Sequence, residues 1–246
     1  MMETGHAPTE TSDDVPPRAA EAERLVGVTM GLGLVAAFIA MVAVSWIADE
    51  MLEGKTADFD RAVSRAVHSV ATPTMTGVMR LASRFGGPTW LGLVAVLLLA
   101  SFLAKRWYRG AVLLVVALGG AGLLDTILKI AFRRQRPSPL FDQPLPGSYS
   151  FPSGHALFAF VFFGSAAVLL ADRIASRPLR VLVFVGAASL VGLIGTSRIY
   201  LNVHHPSDVA AGYLVALSWI VAVAFGDHLA SRGVLRRDDW YRLARP

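Results

Sequence analysis

Ionisable side chains gather in three short segments of this 246-residue chain, between stretches that are almost entirely apolar. The segments read KIAFRRQRP (129–137), PSGH (152–155) and SRIYLNVHHPSD (197–208). Ionisable groups beside long apolar runs are costly at membrane depth, so their presence there is itself a functional hypothesis. Together they supply cations, imidazoles and a carboxylate, a combination suited to the transfer of a phosphoryl group.

Three cationic side chains can surround the oxygens of a phosphate: Lys129, Arg136 and Arg198. A guanidinium matches phosphate oxygens two at a time, whereas a lysine ammonium acts as a point charge. The PSGH segment opens a helix, so the unpaired N–H groups of the first turn and the positive end of the dipole favour an anion. Gly154 lets that anion approach the backbone closely. These features predict a phosphate site.

Two histidines can divide the remaining chemistry. One imidazole attacks phosphorus, while the other protonates the leaving oxygen and then activates water. A carboxylate must orient the attacking ring through its other nitrogen. Asp208 lies four residues after His204, in the first turn of a helix that Pro206 begins, so its side chain can reach back to that ring.

The composition places these segments in an integral membrane protein. Hydrophobic residues make up 54% of the chain and charged residues only 17%, whereas about a quarter of a soluble domain is charged. Six stretches are long enough, or nearly so, to cross a hydrocarbon core of about 30 Å as helices. The second and fourth are the shortest, so five or seven spans remain alternatives. The predicted spans are residues 25–48, 88–104, 110–132, 154–171, 178–196 and 206–229.

The segments outside the spans complete an all-α architecture. Residues 1–24 are acidic and contain three prolines, which predicts a disordered cytoplasmic tail. Residues 25–230 form the membrane-embedded domain, and residues 231–246 form a basic cytoplasmic tail. Between the first two spans, apolar residues recur at helical spacing on either side of a proline, which predicts two amphipathic helices at the outer membrane surface or capping the bundle. These residues are Phe59, Val63, Val67 and Val70, then Met75, Val78, Ala82 and Phe85.

Basic residues orient the bundle in the cytoplasmic membrane. Short loops rich in lysine and arginine mark the cytoplasmic side, and here they place both termini inside and the three polar segments outside. The inner loops carry Lys105, Arg106, Arg109, Arg173, Arg177 and Arg180. The outer side carries a second group of arginines against this rule, so we expect those charges to have another task. They are Arg133, Arg134, Arg136 and Arg198.

In this order, the three segments match the signature of the type-2 phosphatidic acid phosphatase superfamily, which the chain therefore resembles. That signature is a lysine, six residues and Arg-Pro; then Pro-Ser-Gly-His; then Ser-Arg, five residues, a histidine, three residues and an aspartate. Every fixed position is present. The resemblance covers residues 110–229 and implies a membrane-embedded α-helical phosphatase that works without a metal ion or another cofactor.

The resemblance also implies a role for each matched residue. It makes His204 the nucleophile that becomes phosphorylated, His155 the general acid and Asp208 the partner of His204. The spacing selects His204 rather than its neighbour His205. The implied phosphate-binding set is Lys129, Arg136, Ser153, Gly154 and Arg198.

Several nearby residues have structural explanations instead. We interpret Arg133 and Arg134 as interfacial anchors that extend to lipid headgroups. His205 is interpreted as a helix-start or surface residue. Asp125 lies one helical turn before Lys129, and we expect it to pair with the lysine and position it.

The leading hypothesis is hydrolysis of a lipid phosphate or diphosphate within the membrane, with undecaprenyl diphosphate as the favoured substrate. Phosphatidic acid, phosphatidylglycerol phosphate and a lipid phosphotransferase reaction are the alternatives.

An anion-binding transporter is a different class, but the sequence contains no inverted repeat to support it. A metal site is disfavoured because the three cations would repel a metal ion. Nucleic-acid binding is disfavoured because the basic residues do not follow one polar face. The oligomeric state stays open.

Overall fold

Within its described residues, the chain forms eight α-helices and no β-strand. The structure is a computed structural model that describes residues 17–138, 146–171 and 173–231, with side chains from residue 26 onward. Most of the two predicted tails, residues 1–16 and 232–246, lies outside this part of the chain. The predicted all-α class is confirmed.

The helix boundaries lie close to the predicted spans. The helices are α1 (Pro17–Leu52), α2 (Thr56–His68), α3 (Pro73–Phe85), α4 (Pro88–Ala104), α5 (Tyr108–Phe132), α6 (Gly154–Ala171), α7 (Arg177–Tyr200) and α8 (Pro206–Ser231). The largest difference is in α1, because residues 17–24 form its first turns although they were predicted as part of the tail. Proline occupies the first or second position of α3, α4, α7 and α8, where its missing N–H costs no helical hydrogen bond.

In the part of the chain that the structure describes, five helices are long and apolar enough to cross a membrane by themselves: α1, α5, α6, α7 and α8. α3 and α4 meet the same test together, although the pair is bent by 46° at the break between them, which raises the number of candidate spans to six. The predicted bundle of about six spans is therefore confirmed. Large apolar side chains remain exposed along α1, as expected where lipid replaces water around the protein.

The membrane helices run alternately between two ends of the bundle. At one end, the guanidinium carbon of Arg173 lies 4.4 Å from the ring centroid of Trp107. At the same end, Arg109 at the start of α5 donates two hydrogen bonds, of 3.0 and 2.5 Å, to Asp227 near the end of α8. These contacts bring together the basic loops on which the predicted orientation rests. We call this end the basic end.

The opposite end of the bundle carries the three polar segments. α5 and α7 end there, and α6 and α8 begin there. Ala48 and Met51, near the end of α1, pack there with Phe151 and Ala211. Four consecutive helix ends and the end of α1 therefore converge on one region, as the sequence predicted for α5 to α8.

Small side chains let the central helices approach one another closely. Ala121 of α5, Leu157 of α6 and Ala216 of α8 belong to one fully buried cluster. A Cβ atom at Gly120 would lie 2.0 Å from the indole ring of Trp219, so only glycine leaves room for that ring. Such close packing fixes the distances between the helix ends that form the polar region.

α2 and α3 cap the bundle beside the polar region, and they are the two predicted amphipathic helices. Nε2 of His68 lies 2.9 Å from the carbonyl oxygen of Tyr200, and Oγ1 of Thr76 lies 2.8 Å from the Tyr200 hydroxyl. The predicted apolar faces are only partly turned inward, since Val78 and Phe85 stay 46% and 50% exposed. At the edge of a membrane bundle an outward apolar side chain can contact lipid, so it carries no penalty.

Candidate active site

The three polar segments meet at one cavity of about 510 Å³. Its polar wall consists of Asp125, Lys129, Arg136, Ser148, Gly154, His155, Arg198 and His204. Its apolar wall comes from α4, α5 and α6 and includes Leu91, Ala95, Leu118 and Phe158. The two other predicted site residues, Ser153 and Asp208, are fully buried. Among the described residues, no three His, Asp or Glu side chains are grouped so that they could hold a metal ion.

Asp208 reaches back to His204, as the four-residue spacing predicts. Its Oδ2 lies 3.5 Å from Nδ1 of His204, and both side chains are buried. The same oxygen accepts hydrogen bonds from Oγ of Ser150 at 2.5 Å and from the backbone N–H of His205 at 2.9 Å. The second bond caps the start of α8, which confirms the interpretation of His205 as a helix-start residue.

The other ring nitrogen of His204 is turned toward the cavity. Its Nε2 lies 3.0 Å from Nη1 of Arg136. Burial lowers the pKa of His204 to about 4, although the neighbouring Asp208 acts in the opposite direction. The imidazole is therefore neutral at pH 7. Because a guanidinium can only donate, the lone pair of the neutral ring is on Nε2, and its proton is on Nδ1, which faces the carboxylate of Asp208.

Arg136 is held by loop carbonyl groups around the cavity. Its Nη1 donates to the carbonyl oxygen of Val203 at 2.7 Å, and its Nε donates to that of Ser148 at 2.8 Å. Its Nη2 donates to the carbonyl oxygen of Tyr149 at 3.3 Å. Burial lowers the pKa of Arg136, yet arginine remains protonated at neutral pH. The loops therefore hold a permanent positive charge beside Nε2 of His204.

The end of α5 contributes Lys129, whose Nζ donates a hydrogen bond to Oδ1 of Asp125 one turn earlier. The predicted pairing of these residues is present, and the two side chains are 12% and 16% exposed. A Cβ atom at Gly154 would lie 3.0 Å from Oδ1 of Asp125 and 3.2 Å from Nζ of Lys129. Glycine thus lets the first turn of α6 lie directly against the ion pair.

The PSGH segment is attached to α8 through its backbone. The N–H of Ser153 donates to the carbonyl oxygen of Asp208 at 3.0 Å. A Cβ atom at Gly212 would lie only 2.8 Å from the carbonyl oxygen of Ser153. His155 follows in the first turn of α6, and its Nε2 would be 3.7 Å from a Cβ atom at Gly87. Ser153 Oγ is buried and has no hydrogen-bond partner in the described part of the chain.

Arg198 lies at the end of α7 and is only 6% exposed. Its Nη1 donates to Oγ of Ser83 in α3, and its buried Nε has no hydrogen-bond partner among the described residues. Its carbonyl oxygen accepts hydrogen bonds from the N–H groups of Val203 and His204 at 3.1 and 3.3 Å. One residue therefore presents a cation to the cavity and also holds the loop that carries His204.

Arg134 is mostly buried, so its interpretation as an interfacial anchor is wrong. Its Nη1 donates to Oδ1 of Asp208 at 2.5 Å and to Oγ of Ser207 at 2.7 Å. Its Nη2 donates to Oδ2 of Asp60 at 2.7 Å. The guanidinium lies here because two buried carboxylates need its charge. Arg133, by contrast, is exposed, as an anchor would be.

Three residues that support this region were not predicted: Asp60, Ser83 and Ser150. The signal for Asp60 was its spacing from Val63 and Val67, which puts a carboxylate on the inward face of α2. No sequence pattern distinguishes Ser83 or Ser150. Their hydroxyl groups contact residues that are distant in the sequence, so their importance depends on the folded structure.

Comparisons with known proteins match the same region. The sequence model of the PAP2 superfamily matches residues 110–226. Phosphatidylglycerophosphatase B of Bacillus subtilis is 30% identical over 162 residues, which cover 64% of this chain and 78% of that protein. Undecaprenyl-diphosphatase of Sulfolobus acidocaldarius is 32% identical over 153 residues, which cover 60% of this chain and 68% of that protein. A crystal structure of a transmembrane PAP2-type phosphatidylglycerolphosphate phosphatase from Bacillus subtilis aligns with a TM-score of 0.72 and 26% identity, over 80% of this chain and 98% of the other.

Proposed function

The chain belongs to the PAP2 superfamily of membrane phosphatases acting on lipid phosphates, and we propose that it works through a phosphohistidine at His204. The orientation of this ring carries the proposal. Nδ1 faces the buried carboxylate of Asp208, and Nε2 faces the cavity next to Arg136. A neutral imidazole held in this way has its nucleophilic nitrogen directed at the space where a phosphate would be bound.

The phosphate would be held by cations from the end of α5, the loop that follows it and the end of α7. Lys129 and Arg198 line the cavity together with Arg136. Ser153 Oγ and Nε of Arg198 are buried polar groups without a partner among the described residues, and such groups gain stability when a ligand oxygen pairs with them. The first turn of α6, which begins at Gly154, adds N–H groups that favour an anion.

The reaction would proceed in two displacements at phosphorus. In the first, Nε2 of His204 forms a bond to phosphorus while the bond to the leaving oxygen breaks, and His155 gives that oxygen a proton. In the second, His155 takes a proton from water, whose oxygen forms a new bond to phosphorus as the bond to Nε2 breaks. Inorganic phosphate leaves, and both histidines return to their initial states. Asp208 keeps the proton on Nδ1 and stabilises the positively charged ring of the intermediate.

We propose undecaprenyl diphosphate as the substrate, with phosphatidic acid and phosphatidylglycerol phosphate as the alternatives. The matched relative from Sulfolobus acidocaldarius, an undecaprenyl-diphosphatase, supports the first choice. Phosphatidylglycerophosphatase B of Bacillus subtilis supports the third. The apolar wall formed by Leu91, Ala95 and Phe158 suits the lipid chain of any of them, because it lines the same cavity as the cations.

We also propose that the cavity opens on the outer face of the cytoplasmic membrane, with both chain termini in the cytoplasm. The basic end, where Arg109 and Arg173 lie, is opposite the cavity, and basic loops mark the cytoplasmic side. A reporter enzyme fused after Pro246 tests this orientation. If the fused reporter were found to be active only outside the cytoplasm, the proposed orientation would be contradicted.

The catalytic proposal is tested by phosphate release from detergent-purified protein in excess chelator, with the three lipids assayed side by side. His204→Ala is compared with the matched control His205→Ala, whose side chain has no proposed role. We expect turnover that survives the chelator, is lost in His204→Ala and persists in His205→Ala. Equal activity of the parent and His204→Ala would exclude His204 as the nucleophile. Product that forms only with an added lipid acceptor would identify a phosphotransferase. If none of the three lipids is turned over, the substrate proposal fails.

A further inference from the structure

The two carboxylate oxygens of Asp208 have different partners. Oδ2 is the oxygen that faces His204, and it also accepts from Ser150 and from a backbone N–H. Oδ1 accepts from Nη1 of Arg134 at 2.5 Å. Within the described residues, Arg134 is the one cation that forms an ion pair with this carboxylate. The guanidinium therefore holds the side of Asp208 that faces away from the imidazole.

Arg134 is itself held by α2, which lies outside the region matched by the family. Its Nη2 donates to Asp60 at 2.7 Å and to Oγ1 of Thr56 at 3.2 Å. Asp60 in turn accepts hydrogen bonds, each of 2.9 Å, from the N–H and the hydroxyl of Ser207 at the start of α8. Asp60, Arg134 and Asp208 thus form a continuous hydrogen-bonded row that leads to His204.

The charges of this row suit the reaction. Two carboxylates and one guanidinium leave one net negative charge beside a neutral His204. When the ring becomes positively charged in the phosphohistidine, its charge and that of the row cancel, while the negative phosphoryl oxygens face the cations of the cavity. Asp60 contributes to this charge balance. Its carboxylate offsets the positive charge of Arg134, so the negative charge of Asp208 is left to stabilise the imidazole of His204. All these side chains are mostly or fully buried, so water screens their interactions only weakly.

We propose that Arg134 is a positioning residue of the phosphatase. Asp60 holds the guanidinium of Arg134, and the guanidinium keeps the carboxylate of Asp208 charged and directed at His204. The inference rests on the proposed role of His204 as the nucleophile. It differs from a purely structural attachment of α2 to α8, since an attachment would affect stability and activity in parallel.

Four variants separate these two roles: Arg134→Gln, Arg134→Lys, Asp60→Asn with Arg134→Gln, and Arg109→Gln. Arg134→Gln leaves two buried carboxylates without a cation, which lowers stability. In the double variant an uncharged amide replaces the carboxylate of Asp60, so part of the stability returns while the cation beside Asp208 is still missing. Arg109→Gln breaks another ion pair between α5 and α8, far from the cavity, and serves as the matched control.

For each variant we would measure kcat, KM and the thermal midpoint in detergent, beside the parent and His204→Ala. We expect Arg134→Gln to lower kcat about 100-fold with little change in KM, since a small displacement of a catalytic group has an effect of that order. The double variant should regain thermal stability over Arg134→Gln without regaining kcat. Arg109→Gln should lose stability and keep kcat.

A double variant whose kcat recovers together with its thermal midpoint would overturn the inference, and so would full activity of Arg134→Gln. If Arg134→Gln does not fold, Arg134→Lys gives the decision, because a single ammonium group cannot serve both carboxylates as the planar guanidinium does. A folded Arg134→Lys protein with a reduced kcat supports the inference, and one with the kcat of the parent overturns it. The proposed function fails separately, through an inactive parent or an active His204→Ala protein.

Discussion

Nδ1 of His204 and Oδ2 of Asp208 lie 3.5 Å apart in the buried junction between α7 and α8. This distance is longer than a normal hydrogen bond, and Oγ of Ser150 is near both atoms, 3.4 Å from Nδ1 and 2.5 Å from Oδ2. The carboxylate is thus shared between a hydroxyl and a neutral ring. A positive charge on the ring would strengthen the attraction between His204 and the carboxylate of Asp208. We therefore expect the distance between Nδ1 and Oδ2 to shorten when the phosphohistidine forms.

The pH dependence should reflect the burial of His204. Because burial lowers the pKa of this imidazole to about 4, the ring stays neutral between that pH and its usual pKa of about 6.5. Activity should therefore persist below pH 6 and be lost only as the pH falls through about 4, where protonation removes the lone pair. The measurement is kcat/KM as a function of pH for a monophosphate lipid and a diphosphate lipid. A fall in kcat/KM at the same pH for both substrates is due to a group of the protein, because the two substrates titrate differently. A limb near pH 6.5 for both substrates would contradict this expectation.

Asp125→Asn should strengthen the binding of inorganic phosphate. The carboxylate of Asp125 pairs with Lys129 and so competes with a bound phosphate for the ammonium group. Loss of this competition should lower the inhibition constant of phosphate about fivefold, the effect of roughly 1 kcal/mol for one hydrogen bond. The measurement is product inhibition, with Asp227→Asn at the basic end as the control. An unchanged or higher inhibition constant for Asp125→Asn would show that the pairing only positions the lysine.

Ser83→Ala should weaken substrate binding more than it slows the chemical step. The hydroxyl of Ser83 accepts a hydrogen bond from Nη1 of Arg198, and without it the guanidinium is less fixed. We expect KM to rise about fivefold, again from the loss of one hydrogen bond. Ser218→Ala, in the middle of α8, is the control for the removal of a serine hydroxyl from a membrane helix. Equal KM values for the two variants would argue against this role of Ser83.

Gly120→Ala should destabilise the bundle, whereas Gly119→Ala should not. A Cβ atom at Gly120 would meet the ring of Trp219 at 2.0 Å, while one at Gly119 has nothing within 4 Å. Overpacking of this kind costs about 1–3 kcal/mol. Thermal unfolding in detergent compares two substitutions that are chemically identical and adjacent in the sequence. Equal midpoints would mean that the helices separate at little cost to admit the methyl group.

Features that depend on neighbours in the sequence were predicted well. Pro88 and the PSGH segment indicate the starts of α4 and α6, and both starts are where the sequence placed them. Asp208 approaches His204, and Asp125 pairs with Lys129, each across four positions in the sequence, so spacing alone was sufficient. The same local pattern predicted two helices between the first two spans.

Several individual contacts between residues that are distant in the sequence were not predicted. Arg134 looked like a surface arginine because its two carboxylates, Asp60 and Asp208, lie 74 residues away on either side in the sequence. The inward faces of α2 and α3 were only partly predicted for a related reason. Lipid accepts apolar side chains such as Phe85 on the outside, so the apolar stripe alone does not distinguish the packed face from the exposed one.

The contact between Asp60 and Ser207 also bears on the biosynthesis of the protein. These residues are separated by 147 positions, and the ribosome makes one soon after the first span and the other only with the last. The row of charges that leads to His204 therefore has no partner for Asp60 on α8 until the final helix has entered the membrane. A chain that stops short of α8 holds the three cations, His155 and His204 but lacks the carboxylate of Asp208. Phosphatase activity is thus a property of the completed, fully inserted chain, and a partly inserted chain presents no working site to the lipids around it.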